Sequence, residues 1–134
     1  MTSKKGRRRP QIHMIDSEAD AITDLAIAAE RRIPQVSKLL LEETARAHIY
    51  SAARIPQDVV TMNATVDFTD EAGEKAHSYQ LVYPREADIS SGRISILTPV
   101  GAGLIGLREG QSILCPDRDG RERELKIVRV VHER

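Results

Sequence analysis

Gly101, Gly103 and Gly106 spell G-x-G-x-x-G directly after the strand-forming run 94–98. Where a strand turns into a helix, glycines at that spacing let the backbone close on a pyrophosphate at the helix N-terminus. The neighbouring residues refuse that chemistry. A nucleotide-binding crossover needs a helix of about a dozen residues and a parallel strand beyond it. Here Arg108, Glu109 and Gly110 break the helical pattern at once. Two β-rich runs follow, Gln111 to Cys115 and Glu122 to Val131, split by the hairpin-turn cluster 117–120. The carboxylate expected about twenty residues on is replaced by Lys126. The glycines are read instead as room for a short helix pressed against a sheet, with Val100, Leu104 and Ile105 as its buried contacts.

Other reactive side chains are scattered. His13, His48, His77 and His132 fall on a predicted tail, helix, strand and C-terminal end, with no C-x-x-C or H-x-x-x-H spacing, so no metal site is expected. The single cysteine, Cys115, alternates with Ile113 and is read as a buried structural thiol. No phosphate-binding lysine loop, G-x-S-x-G elbow or kinase motif occurs, so neither a catalytic residue nor a cofactor is predicted. Twenty basic residues balance twenty acidic ones, which removes any global attraction to nucleic acid or anionic membrane. A local exception is Lys4, Lys5, Arg7, Arg8 and Arg9, a solvated tail that could touch phosphates weakly. No run approaches the ~20 apolar residues of a membrane span, and a cytoplasmic protein is expected.

The 134 residues leave room for one compact domain and an appendage. Residues 1–15 read as a basic flexible tail, 16–53 as a helical hairpin and 54–134 as a sheet domain. Asp16-Ser17 is an N-cap signal, with Glu18 and Asp20 in the first turn. Ile15, Ala19, Ile22, Ala26, Ala29 and Ile33 then recur at spacings of four and three, the seam of a coiled-coil-like helix. Arg31 and Arg32 suit its C-terminus, Pro34 opens a second helix, and Val36, Leu39, Leu40, Thr44 and Ala47 form the facing stripe. Glu42 and Arg46 are placed as an exposed pair. At Ile55-Pro56 the period changes to two: Val60, Met62, Ala64, Val66 and Phe68 alternate with polar residues, and His77, Tyr79, Leu81 and Tyr83 form one side of the next strand. With Ile94 to Thr98, a helix over 99–107 and the final hairpin, the class is α+β: a helical hairpin before a twisted antiparallel sheet carrying one short helix. Its alternating faces suggest that the sheet domain closes without the helices.

Ala87-Asp88-Ile89 through Leu107, followed by the closing hairpin, resembles the C-terminal domain of the bacterial GreA/GreB transcription factors, in which a strand, Ser-Pro and Leu-Ile-Gly follow in that order. Three runs, 58–63, 81–84 and 99–102, bring the chain nearer still to a short branch of that family, the regulators of nucleoside diphosphate kinase. The resemblance implies an FKBP-like sheet. It also raises prolyl isomerisation as an alternative, which would need an apolar pocket lined by Phe68, Tyr79 and Tyr83. The kinase in the branch name is not an activity of this chain.

What the resemblance implies for function is docking on RNA polymerase core enzyme at the secondary channel and competition there with cleavage factors. The docking residues implied are Leu97, Thr98, Pro99, Val100 and Gly101, where Gre factors carry Asp or Asn before Ser-Pro. Gre factors bring two carboxylates to a catalytic metal at the tip of a long hairpin. This tip is Glu30, Arg31 and Arg32, one acid and two bases, on arms of only ~20 to 25 Å. Transcript cleavage, the alternative Gre-type role, is therefore not expected. Nucleic-acid binding through the basic tail is a third reading, marked by a steep salt dependence.

Overall fold

The computed structural model describes residues 10–70, 75–116 and 122–132. Strand β1 (His13–Ile15) leads into helices α1 (Asp16–Ala28) and α2 (Pro34–Arg46), and β2 (His48–Tyr50) follows. Then come β3 (Thr65–Asp70), β4 (Lys75–Val82), 3-10 turns at Pro84–Glu86 and Ile89–Ser91, β5 (Arg93–Ser95), α3 (Pro99–Leu104), β6 (Ser112–Pro116) and β7 (Glu122–Val131). The α+β class, the helical hairpin and the sheet with its short helix are all present. The basic run 4–9, the turn residues 71–74 and 117–120, and the Cys115 side chain lie outside what is described.

The main sheet has the order β5-β4-β3-β7-β6, and it is mixed rather than wholly antiparallel. Strand β5 runs parallel to β4, pairing Gln80 with Arg93 and Val82 with Ser95. A tight loop makes this possible in few residues: the Asp88 carboxylate accepts from the Ser90 and Ser91 hydroxyls at 2.6 and 2.9 Å, and Gly92 takes φ 77. Strand β3 also starts later than its alternation suggests. Asn63 sits at φ 72 and donates its N–H to the Leu81 carbonyl at 2.6 Å, so residues 61–64 turn before the ladder begins at Thr65. Val60, Met62 and Ala64 are nonetheless buried, which is why the pattern looked continuous.

In the hairpin, Ala19, Ile22, Ala26 and Ala29 are buried as the stripe requires, and the Ser37 hydroxyl donates to the Ala26 carbonyl at 2.7 Å across the two helices. Pro34 opens α2, where its missing N–H costs nothing. Three local expectations fail. Ile15 is the N-cap of α1 without a side-chain bond, because Asp16 is already helical and accepts from the Ser17 N–H. Helix α1 ends at Ala28, which leaves Arg31 and Arg32 in the turn. The ion pair of Arg46 is with buried Glu43, at 2.8 Å.

The N-terminal limit moves most. Ile12, His13, Met14 and Ile15 are all buried, and β1 pairs in parallel with β2, so the ordered body begins before residue 16. His48 is therefore on a strand, not a helix. Ile12, Met14, Ile22 and Leu40 share one buried cluster with Leu81, Leu104 and Ile127. A chain beginning near Arg54 would lose that part of the core and leave Leu81, Leu104 and Ile127 without those neighbours.

A polar strut joins hairpin to sheet: the Met62 N–H donates to Glu18 Oε1 at 3.0 Å. Burial raises the Glu18 carboxyl pKa, against the lowering effects of the Met62 N–H and of His132. The folded state thus holds this proton more tightly than the unfolded chain, so the group stabilises most at acid pH and that contribution is lost as pH rises through the folded pKa. Glu18→Ala, which orphans the Met62 N–H, should cost about 1–3 kcal/mol. Glu18→Gln keeps the acceptor and should melt near the parent while flattening the pH dependence of stability, as thermal unfolding across pH 4–8 would show.

Candidate functional site: the docking corner, the hairpin tip and the cleft

The corner between β5 and α3 is built from its hydrogen bonds. Ile96, fully buried, donates its N–H to the Val82 carbonyl at 2.9 Å and anchors the turn. The Ser95 hydroxyl oxygen accepts from the Leu97 N–H at 3.0 Å. Thr98 then uses its one hydroxyl twice, donating to the Ser95 carbonyl at 2.7 Å and accepting from the Gly101 N–H at 3.0 Å, which caps α3. Pro99 opens the helix and is exposed, while Leu97 and Val100 are half-buried against the core. Gly101 is buried. The solvent side of the corner is thus apolar, with the Thr98 hydroxyl turned to internal bonds.

The same contacts explain the glycines. A Cβ on Gly101 would run into the Ser95 carbonyl oxygen, and one on Gly106, at φ 84, would lie 2.8 Å from the Ile12 Cβ. Both face protein, not an open phosphate cradle. Gly103 is buried too, so the packing interpretation of the motif holds.

At the other end, Glu30, Arg31 and Arg32 are exposed around a turn closed by Ala29, whose carbonyl accepts from Arg32 and Ile33 at 3.0 and 2.9 Å. Each arm has 13 residues, about 20 Å at ~1.5 Å per residue. The tip carries one carboxylate. Among the described residues no group of three or more His, Cys, Asp or Glu is placed to hold a metal.

Of the three rings required for isomerase chemistry, two lie together on the sheet and the third lines a separate cleft. Phe68 stacks on His77 at 5.1 Å and lies 6.2 Å from Tyr79. Tyr83 instead lines a cleft with Pro84, Arg85 and α1 residues Ala21, Asp24 and Leu25. Burial pushes its phenol pKa up, helped by Glu18 and Glu86.

Sequence reasoning missed two polar clusters. His13 and His48, thought remote, stack at 5.5 Å, with His13 Nδ1 3.0 Å from the Tyr50 hydroxyl. Burial, then Arg108 and His48, lower the His13 pKa against the opposing pull of Asp58, which itself holds Arg108 Nε at 3.0 Å. Buried Asp70 meets His77 and Arg123 at 3.3 Å each. Strand pairing creates both clusters, and the sequence carries no spacing signal for either. Among the described residues no helix is long and apolar enough to cross a membrane.

The family model for the C-terminal region of the transcription elongation factors GreA/GreB matches residues 55–132. A transcription elongation factor GreA from Rhodospirillum rubrum is 34% identical over 121 residues, covering 84% of this chain and 77% of that protein. The regulator of nucleoside diphosphate kinase from Escherichia coli K12 is 36% identical over 105 residues, covering 78% and 77%. The solved prokaryotic transcription elongation factor GreA/GreB from Nitrosomonas europaea superposes with a TM-score of 0.73 at 35% identity, covering 92% of this chain and 100% of that one.

Three substitutions separate packing from surface at the corner. Gly101→Ala should destabilise by about 1–3 kcal/mol, the usual cost of overpacking. Thr98→Ala should lose about 1 kcal/mol with its cap, whereas Thr98→Asp keeps a capping oxygen for the Gly101 N–H but loses the donor to the Ser95 carbonyl and should fall between Thr98→Ala and the parent. Chemical denaturation of the three variants against the parent would check the order, and a Gly101→Ala protein as stable as the parent would contradict the close approach.

Proposed function

We propose a function that proceeds from an established premise: the chain belongs to the GreA/GreB family of transcription elongation factors. It binds RNA polymerase core enzyme near the secondary channel and competes there with Gre-type factors, without promoting transcript cleavage. Its work is occupancy, in the cytoplasm, and changes in expression follow from which factor holds the channel mouth.

The hairpin tip carries this reading. Metal-assisted phosphodiester cleavage needs oxygen ligands that fix the ion and its water. Glu30 supplies one carboxylate, flanked by Arg31 and Arg32, whose charges repel a divalent cation. Arms of 13 residues suit a plug at an entrance better than delivery to a deeply buried metal. Leu97, Thr98, Pro99 and Val100 supply the docking surface, where apolar contacts made by fixed side chains can anchor an interface. Gly101 contributes the close packing that holds this surface in place.

Backtracked elongation complexes incubated with the protein and Mg²⁺ should release no short 3′ RNA beyond the intrinsic rate, and accelerated release would overturn the tip argument. Pro99→Ala and Thr98→Asp should each weaken core-enzyme binding by about 1–2 kcal/mol, or about 5- to 30-fold. If both melt like the parent and bind with parental affinity, the docking surface lies elsewhere.

A further inference from the structure

Helix α1 has two working faces. Ala19, Ile22, Ala26 and Ala29 are buried. Ala21, Asp24 and Leu25, spaced three and four apart on a second stripe, look across to Tyr83, Pro84 and Arg85, and the two walls enclose an open cleft. Its floor is carbon: the Ala21 methyl, the half-buried Leu25, the Tyr83 ring and Pro84. Asp24 and Arg85 are exposed at its rim, and neither has an ion pair or side-chain hydrogen bond among the described residues. Single exposed apolar residues are ordinary, but a concave apolar surface between two unpaired opposite charges is what a partner fills.

The position of the cleft points the same way. Its first wall, α1, runs on to the tip. Its second, Pro84–Glu86, packs on β5, which leads straight into the Leu97–Pro99 corner. Whatever touches both tip and corner passes close to it.

We propose that this cleft is a third contact with RNA polymerase, taking a segment that presents an apolar side chain between a basic residue, which meets Asp24, and an acidic one, which meets Arg85. This rests on the reading that polymerase is the partner. The rim charges fix register and speed encounter, while the filled floor supplies most of the affinity. A second copy of this chain fits less well, because two concave floors facing each other leave the apolar space empty.

The test measures core-polymerase affinity of the full chain carrying Asp24→Arg, Arg85→Asp or both, at low and physiological salt, with melting as the control for folding. Each single variant should melt like the parent and bind about 5-fold more weakly at low salt, with the gap narrowing as salt rises. The double variant should bind more weakly than either, and Pro99→Ala should add to each independently. Single variants with parental affinity overturn the cleft while leaving the polymerase reading intact. A double variant restored to parental affinity would mean that the two charges serve each other, and it overturns the proposal as well. A parent that sediments as a dimer dissolved by either single change assigns the cleft to self-association instead. A parent that does not bind polymerase overturns both readings.

Discussion

Two backbone approaches too close for any side chain hold this structure together. At Gly101 the first turn of α3 lies on the Ser95 carbonyl, and at Gly106 the chain leaving α3 lies on Ile12 and His13. The second approach is sealed by hydrogen bonds from the His13 N–H to the Gly106 carbonyl at 3.0 Å and from the Gly106 N–H to the Val60 carbonyl at 2.9 Å. One short helical segment thereby joins the N-terminal strand, the linker before β3 and the edge of the main sheet. A methyl group at either point would push apart elements that share one core, and interiors packed at crystal-like density do not absorb such a shift.

That junction makes the hairpin a fixed projection. Its ends, β1 and β2, are clasped side by side, α2 packs on α3, and Glu18 reaches across to the Met62 N–H. The buried polar groups in this region are paired, as groups removed from water must be: Ser37 with the Ala26 carbonyl, and Glu43 with Arg46. The tip is thus held at a set direction from the corner, although neither Glu30 nor Arg31 nor Arg32 takes part in the packing.

Balanced overall charge leaves local surfaces to decide recognition. The corner offers Leu97, Pro99 and Val100 with the Thr98 hydroxyl turned inward, and the cleft beside α1 is carbon-floored with charges only at its rim. Both surfaces suit a protein partner better than a phosphate backbone, which is gripped by clustered Lys and Arg. At the tip two guanidinium groups replace the paired oxygens that a metal would require.

Much was legible in the residue order. The three-and-four spacing from Ala19 to Ala29, Pro34 at the head of α2, the β-rich runs of the final hairpin and the α+β class each follow from local periodicity and backbone chemistry. Those rules act over a few residues and need no partner. The adjacency of Glu30, Arg31 and Arg32 was equally plain, since they follow one another in the chain. What lay out of reach depended on contacts between distant segments. The parallel pairing of β1 with β2 put Ile12 to Ile15, expected at the end of a tail, into the core and brought His13 to His48. The compact loop before Gly92 reversed the direction expected of β5. Asn63 took a left-handed turn inside an apparently unbroken alternation. Sequence alone determined the two long helices, the strands of the final hairpin and which residues meet at the tip. The tertiary structure decided which glycines touch which backbone, which charges are buried in pairs and where the cleft opens, because a contact exists only once two surfaces far apart in the chain are brought together.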